Sequence, residues 1–162
     1  MRGLLGICLI CWASLAVADE ETGPDFDAEA LAFCLQDAAN PAICIGIGAR
    51  TCWQGDAATM TVGLCYAEEF AFWDAARQVL EAELAQQDVR LDDELQDLRR
   101  GGVADAARGD VIGAWPAYRD ARCDYVAARF GPGSGAGPAW MECRMQVTAE
   151  HVLWLQKLAR EE

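Results

Sequence analysis

The sequence predicts an all-α fold: a small helical bundle, stapled by disulfides, around one long central helix. Apolar residues recur at steps of three, four or seven through most of the chain, no segment alternates apolar and polar residues long enough to argue for strands, and cysteines are frequent. With 162 residues, 53% hydrophobic and 24% charged, the chain suits one domain and is apolar enough to offset the entropy of ordering it.

The N-terminus reads as a transport signal. Met1 and Arg2 give a short positive start, Leu4 to Val17 an apolar stretch, and Ala16-Val17-Ala18 the small-x-small form of a cleavage site, so cleavage is expected after Ala18. The stretch is shorter than the ~20 apolar residues that span a bilayer, and acidic Asp19, Glu20 and Glu21 follow it. Ile7 and Ile10 precede Cys8 and Cys11, where lipid attachment needs a small residue, and Trp12 follows the C-x-x-C pair where haem attachment needs a His. The expectation is a periplasmic or secreted protein, free of the membrane once the signal is removed.

Of eight cysteines, Cys34, Cys44, Cys52, Cys65, Cys123 and Cys143 remain after the leader. An even set at irregular spacing in an oxidising compartment reads as three disulfides, whereas zinc would need close pairs or several histidines, and the chain has one His. Six cysteines allow many connectivities. Their places on the predicted helices favour consecutive pairing: Cys34 with Cys44, Cys52 with Cys65, Cys123 with Cys143.

The first helix is expected over residues 25–37, with Asp25 or Asp27 as its cap and Phe26, Ala30, Leu31, Phe33 and Cys34 at helical spacing. Asn40-Pro41 breaks it, and Pro41 opens a second short helix through Ile43, Cys44 and Ile47, weakened by Gly46 and Gly48. After a loop over 54–58, Thr59 or Thr61 caps a long helix reaching Arg100 and stopped by Gly101-Gly102. Its apolar stripe is Trp73, Leu80, Leu84, Leu91, Leu95 and Leu98. Glu81, Glu83, Asp92, Asp93, Glu94 and Asp97 lie largely off that stripe, on a face expected to be acidic and solvated.

Asp105 or Asp110 begins the next helix, which carries Val111, Trp115, Tyr118, Cys123 and Val126; Pro116 is expected to kink it or to mark its true start. The glycine- and proline-rich stretch 131–138 reads as a loop, followed by a last helix over 139–160 with Met141, Met145, Thr148, Val152 and Leu155 on one side.

Charge and motifs narrow the function. Twenty-six acidic against 13 basic side chains, a formal charge of -13, disfavour nucleic acid and anionic membrane surfaces, both of which need clustered Lys and Arg. Enzyme readings lack a constellation. Ser134 sits in a glycine-rich loop rather than on a strand-to-helix elbow, His151 is the lone histidine, and no phosphate-binding Gly-rich motif or other cofactor signature is present. Neither catalytic nor metal-ligating residues are expected.

Cys52, Met60, Cys65, Glu69, Trp73-Asp74, the stretch from Trp115 to Cys123, Gly133-Ser134, Cys143 and Thr148 together resemble the lysozyme inhibitor LprI-like, N-terminal domain family. The most specific part is Trp-x-x-Tyr-Arg-Asp-x-x-Cys. The sequence departs from the family at Arg77-Gln78, where a Leu-Asn is usual, at Pro116, and at His151, where an Arg is common. The resemblance implies a small, helical, secreted or periplasmic protein and divides the chain into signal peptide 1–18, N-terminal helical extension 19–51 and LprI-like helical domain 52–160. It makes Trp115, Tyr118, Arg119, Asp120, Glu69 and Asp74 candidates for partner contact.

Two roles compete for those residues. Arg119 and Asp120 are either exposed for recognition, or Arg119 pairs internally with a carboxylate such as Glu69 or Asp74 while Trp115 joins the core. The acidic charge and the resemblance together suggest a binding protein whose partner is basic, such as lysozyme. The alternative is a structural or envelope-stress protein with no lysozyme contact.

Overall fold

The computed structural model describes residues 26–53, 58–98 and 102–160. The expected leader and its cleavage position lie outside them, as do Asp25, most of the loop before the long helix, Arg100 and Gly101. Among the described residues there are five α-helices and no strands, so the chain is all-α.

α1 spans Ala28–Asp37, and of the two candidate caps it is Asp27 that accepts from the Ala30 N–H, at 2.8 Å. The expected second helix is divided. Pro41–Cys44 forms a 3-10 turn opened by the Asn40 side chain, Gly46 then takes a left-handed conformation (φ 81°), and α2 follows over Ile47–Cys52. A side chain would be strained at Gly46, and a Cβ on Gly48 would lie 2.3 Å from the Phe26 ring, so both glycines are required where they stand.

α3 spans Thr59–Glu94 and ends short of Arg100, giving way to a 3-10 turn over Gln96–Leu98. Neither Thr59 nor Thr61 caps it: its first residue is Thr59 itself, and among the described residues no side chain caps that end. α4 spans Val103–Ala128, beginning before either Asp105 or Asp110. Its start is set by a residue outside the helix, because Asp92 of α3 accepts from the N–H groups of Val103, Ala104 and Asp105 at 3.0–3.1 Å. Asp92, assigned by the pattern to a solvated acidic face, is therefore buried. Pro116 stands inside α4 on its exposed side and does not mark the helix start. α5 spans Ala136–Leu158, so Gly137 and Pro138 belong to its first turn instead of the loop; a proline costs no hydrogen bond there.

α5 packs along α3, and α4 lies against both. One core cluster joins Leu31, Cys44 and Ala49 to Cys65, Tyr66, Trp73, Met145, Ala149 and Val152, and a second is built from Trp115, Cys123, Cys143 and Val147. Disulfides Cys34–Cys44, Cys52–Cys65 and Cys123–Cys143 fix α1 to the 3-10 turn, α2 to α3, and α4 to α5. The Cys123–Cys143 bridge thereby holds the two long helices α4 and α5 in register.

Candidate functional site

Glu69 is wholly buried. Its carboxylate accepts from the Gly46 N–H at 2.6 Å, the Ala49 N–H at 2.7 Å and the Trp73 Nε1–H at 3.0 Å. Two of these donors belong to the first turn of α2, so Glu69 supplies from α3 the cap that Gly46, lacking a side chain, cannot supply. Glu69 is thus a joint between α2 and α3, with its oxygens turned away from solvent.

Asp74, one turn on, accepts from Arg77 Nε at 2.9 Å and from Gln78 Nε2 at 2.9 Å, while Arg77 also reaches Glu81 at 2.6 Å. Burial works against the Asp74 charge, yet the hydrogen bonds from Arg77 and Gln78 outweigh it and hold the carboxyl below its usual range. Arg77-Gln78, where the sequence departs from the family pattern, forms the polar ladder along this face of α3.

Neither Glu69 nor Asp74 receives a hydrogen bond from Arg119. Its guanidinium instead donates through Nε to the neighbouring Asp120 at 2.8 Å and lies over the Phe70 ring. Arg144 of α5 approaches Asp120 at 3.7 Å and stacks on both Phe70 and Trp140 at 4.5 Å. Two cations thus share one carboxylate and an aromatic seat. Burial and the adjacent Arg119 charge lower the Arg144 pKa from the ordinary arginine value. Phe70, Trp140 and Arg144 escaped the sequence reading, since nothing local links these residues of α3 and α5 to Arg119 and Asp120 of α4.

Trp115 is buried and stacks on His151, with rings 4.0 Å apart and 7° from parallel; Trp154 lies beyond the histidine at 5.3 Å. Burial lowers the His151 pKa, Glu81 opposes that and Arg77 adds to it. A neutral imidazole between two indoles is a packing element. Tyr118, by contrast, is exposed, unlike Trp115 and Arg119 of the same segment. Among the described residues, no group of three or more His, Cys, Asp or Glu side chains is placed to hold a metal ion.

A mainly apolar concavity lies elsewhere. Leu84 and Leu91 of α3, Val111 of α4, and Trp154, Leu155 and Leu158 of α5 enclose about 380 Å3, with Asp88 and Arg108 on the wall.

Residues 52–155 match the family described as Lysozyme inhibitor LprI. The chain belongs to this family. The match runs from the first cysteine of the Cys52–Cys65 bridge to Leu155 of α5, so LprI membership covers α3, α4 and nearly all of α5. No curated protein and no solved structure matches the chain. Within the LprI region, Glu69, Trp115, Arg119 and both cysteines of the Cys123–Cys143 bridge are interior. What the LprI-like motif records here is mainly how three helices are joined.

Proposed function

We propose that the protein is an extracytoplasmic binding protein that inhibits lysozyme by docking on it through an acidic surface. The LprI family match over residues 52–155 carries this reading. Three disulfides support an oxidising compartment, and no helix among the described residues is long and apolar enough to cross a membrane. A charge of -13 favours a basic partner, with encounter accelerated at low salt. The test is lysozyme activity in the presence of the purified, oxidised protein at low and moderate salt. Inhibition that weakens as salt rises is expected; none at either salt removes the proposal.

One observation favours a second reading. Because the motif's Trp115 and Arg119 are buried, their presence is accounted for by packing alone, as in a structural or envelope-stress protein without lysozyme contact. A pull-down from periplasm separates the two: lysozyme recovered supports the first, and an envelope component recovered without lysozyme supports the second.

A further inference from the structure

The apolar groove between α3, α4 and α5 shares Trp154 with the His151 stack and Ala104 with the Asp92 joint, but the rest of its lining is not used by either. Leu84 and Leu155 are buried at its base, whereas Leu91, Val111, Trp154 and Leu158 on its sides are all exposed; other large apolar side chains are exposed too, Phe33 and Met60 among them, but these four line one concavity. Folding alone gives no reason to bring four large exposed apolar side chains together, and such clusters mark contact surfaces.

Charge identifies the occupant. The guanidinium on the groove wall, Arg108, is bound by Asp88 at 3.0 Å and by Asp105, so it is more than neutralised and offers no free cation to an anionic ligand. Around this end of the bundle, among the described residues, Asp93, Glu94, Asp97 and Asp110 are exposed, against exposed Arg90, Lys157 and Arg160. An apolar centre containing a tryptophan, inside a rim with an excess of carboxylates, complements an apolar side chain that projects between lysines or arginines. The volume of about 380 Å3 accommodates one or two such side chains.

We infer that this groove is the centre of the contact with the basic partner: it receives a projecting aliphatic or aromatic side chain of lysozyme while the surrounding carboxylates meet that protein's cations. The inference rests on the proposed inhibition and adds to it the place of contact. It also explains how a motif buried for structural reasons accompanies recognition, since the motif fixes the helices whose far ends form the groove.

The experiment compares inhibition of purified lysozyme by the wild-type protein and three variants, with helicity and thermal melting as controls for folding. Ala107→Phe fills the groove without changing charge, Val111→Arg places a cation in it, and Tyr125→Arg adds the same charge to an exposed position of α4 that does not line it. The expected result is that both groove variants raise the inhibition constant at least tenfold while Tyr125→Arg changes it less than threefold. Wild-type inhibition retained by both folded groove variants overturns the groove and leaves the inhibitor reading standing. Absence of inhibition by the wild type overturns both. A wild-type dimer that Val111→Arg converts to monomer, with inhibition unchanged, assigns the groove to a second copy of the chain and likewise overturns the inference.

Discussion

The Glu69 carboxylate accepts a hydrogen bond from the backbone of Ala49 at 2.7 Å, across a sequence separation of 20 residues. With Gly46 as a second donor, this one side chain ties the start of α2 to the first third of the longest helix. Removing it leaves two backbone donors and an indole N–H without their acceptor. Glu69→Gln is expected to cost about 2–3 kcal/mol, because one amide oxygen replaces two charged acceptors and an NH2 is forced against donors. Glu69→Ala is expected to cost more. Urea unfolding measures the loss, and hydrogen exchange at the Gly46 and Ala49 amides should accelerate before exchange in α5 does.

Asp92 makes the corresponding connection between α3 and α4. Hydrogen bonds from the backbone of Asp105, then Ala104 and Val103, hold its carboxyl below the usual range despite some desolvation. A depressed folded-state pKa contributes stability that is complete above the unfolded carboxylate pKa near 4 and is lost as pH falls through the lower folded value. Asp74 and Asp120 act in the same direction. Asp92→Asn should therefore lower the melting temperature at pH 7 and show a shallower loss of stability on acidification than the wild type. Equal slopes would assign the acid sensitivity to the other two carboxylates.

His151 works with the same sign through a different cause. Burial between Trp115 and Trp154 lowers its pKa from the ordinary 6.5, so the unfolded chain takes up a proton before the folded one does. Stability contributed by the neutral ring is complete above pH 6.5 and declines as pH falls below it toward the folded value. His151→Phe keeps a stacked ring but cannot titrate. Its stability should be flat across that interval where the wild type slopes, as read from denaturant midpoints at successive pH values.

The three disulfides should contribute unequally. Cys123–Cys143 spans 20 residues and Cys34–Cys44 spans 10, so the first restrains the unfolded chain more. Replacing both Cys123 and Cys143 by alanine is expected to cost about 3 kcal/mol and replacing Cys34 and Cys44 less, measured by urea midpoints of oxidised protein.

What the sequence determined by itself is whatever depends on near neighbours. Helical periodicity, the Asn40-Pro41 break and the Asp27 cap are legible because a helix turn spans four residues and its signals lie within that reach. The motif from Trp115 to Cys123 is legible through its resemblance to a known family. Tertiary structure decided what turns on partners far away in the chain. α4 begins at Val103 because Asp92 reaches across from α3, and the second helix divides at Gly46 because Glu69 caps its later half. Arg119 takes Asp120 and Phe70 over the more distant Glu69 or Asp74, whose oxygens are already held by other donors. The groove is the clearest case. Leu91, Val111 and Trp154 belong to three helices and become one surface only when packing sets those helices side by side, because burial and contact are properties of the assembled fold, which no local pattern encodes.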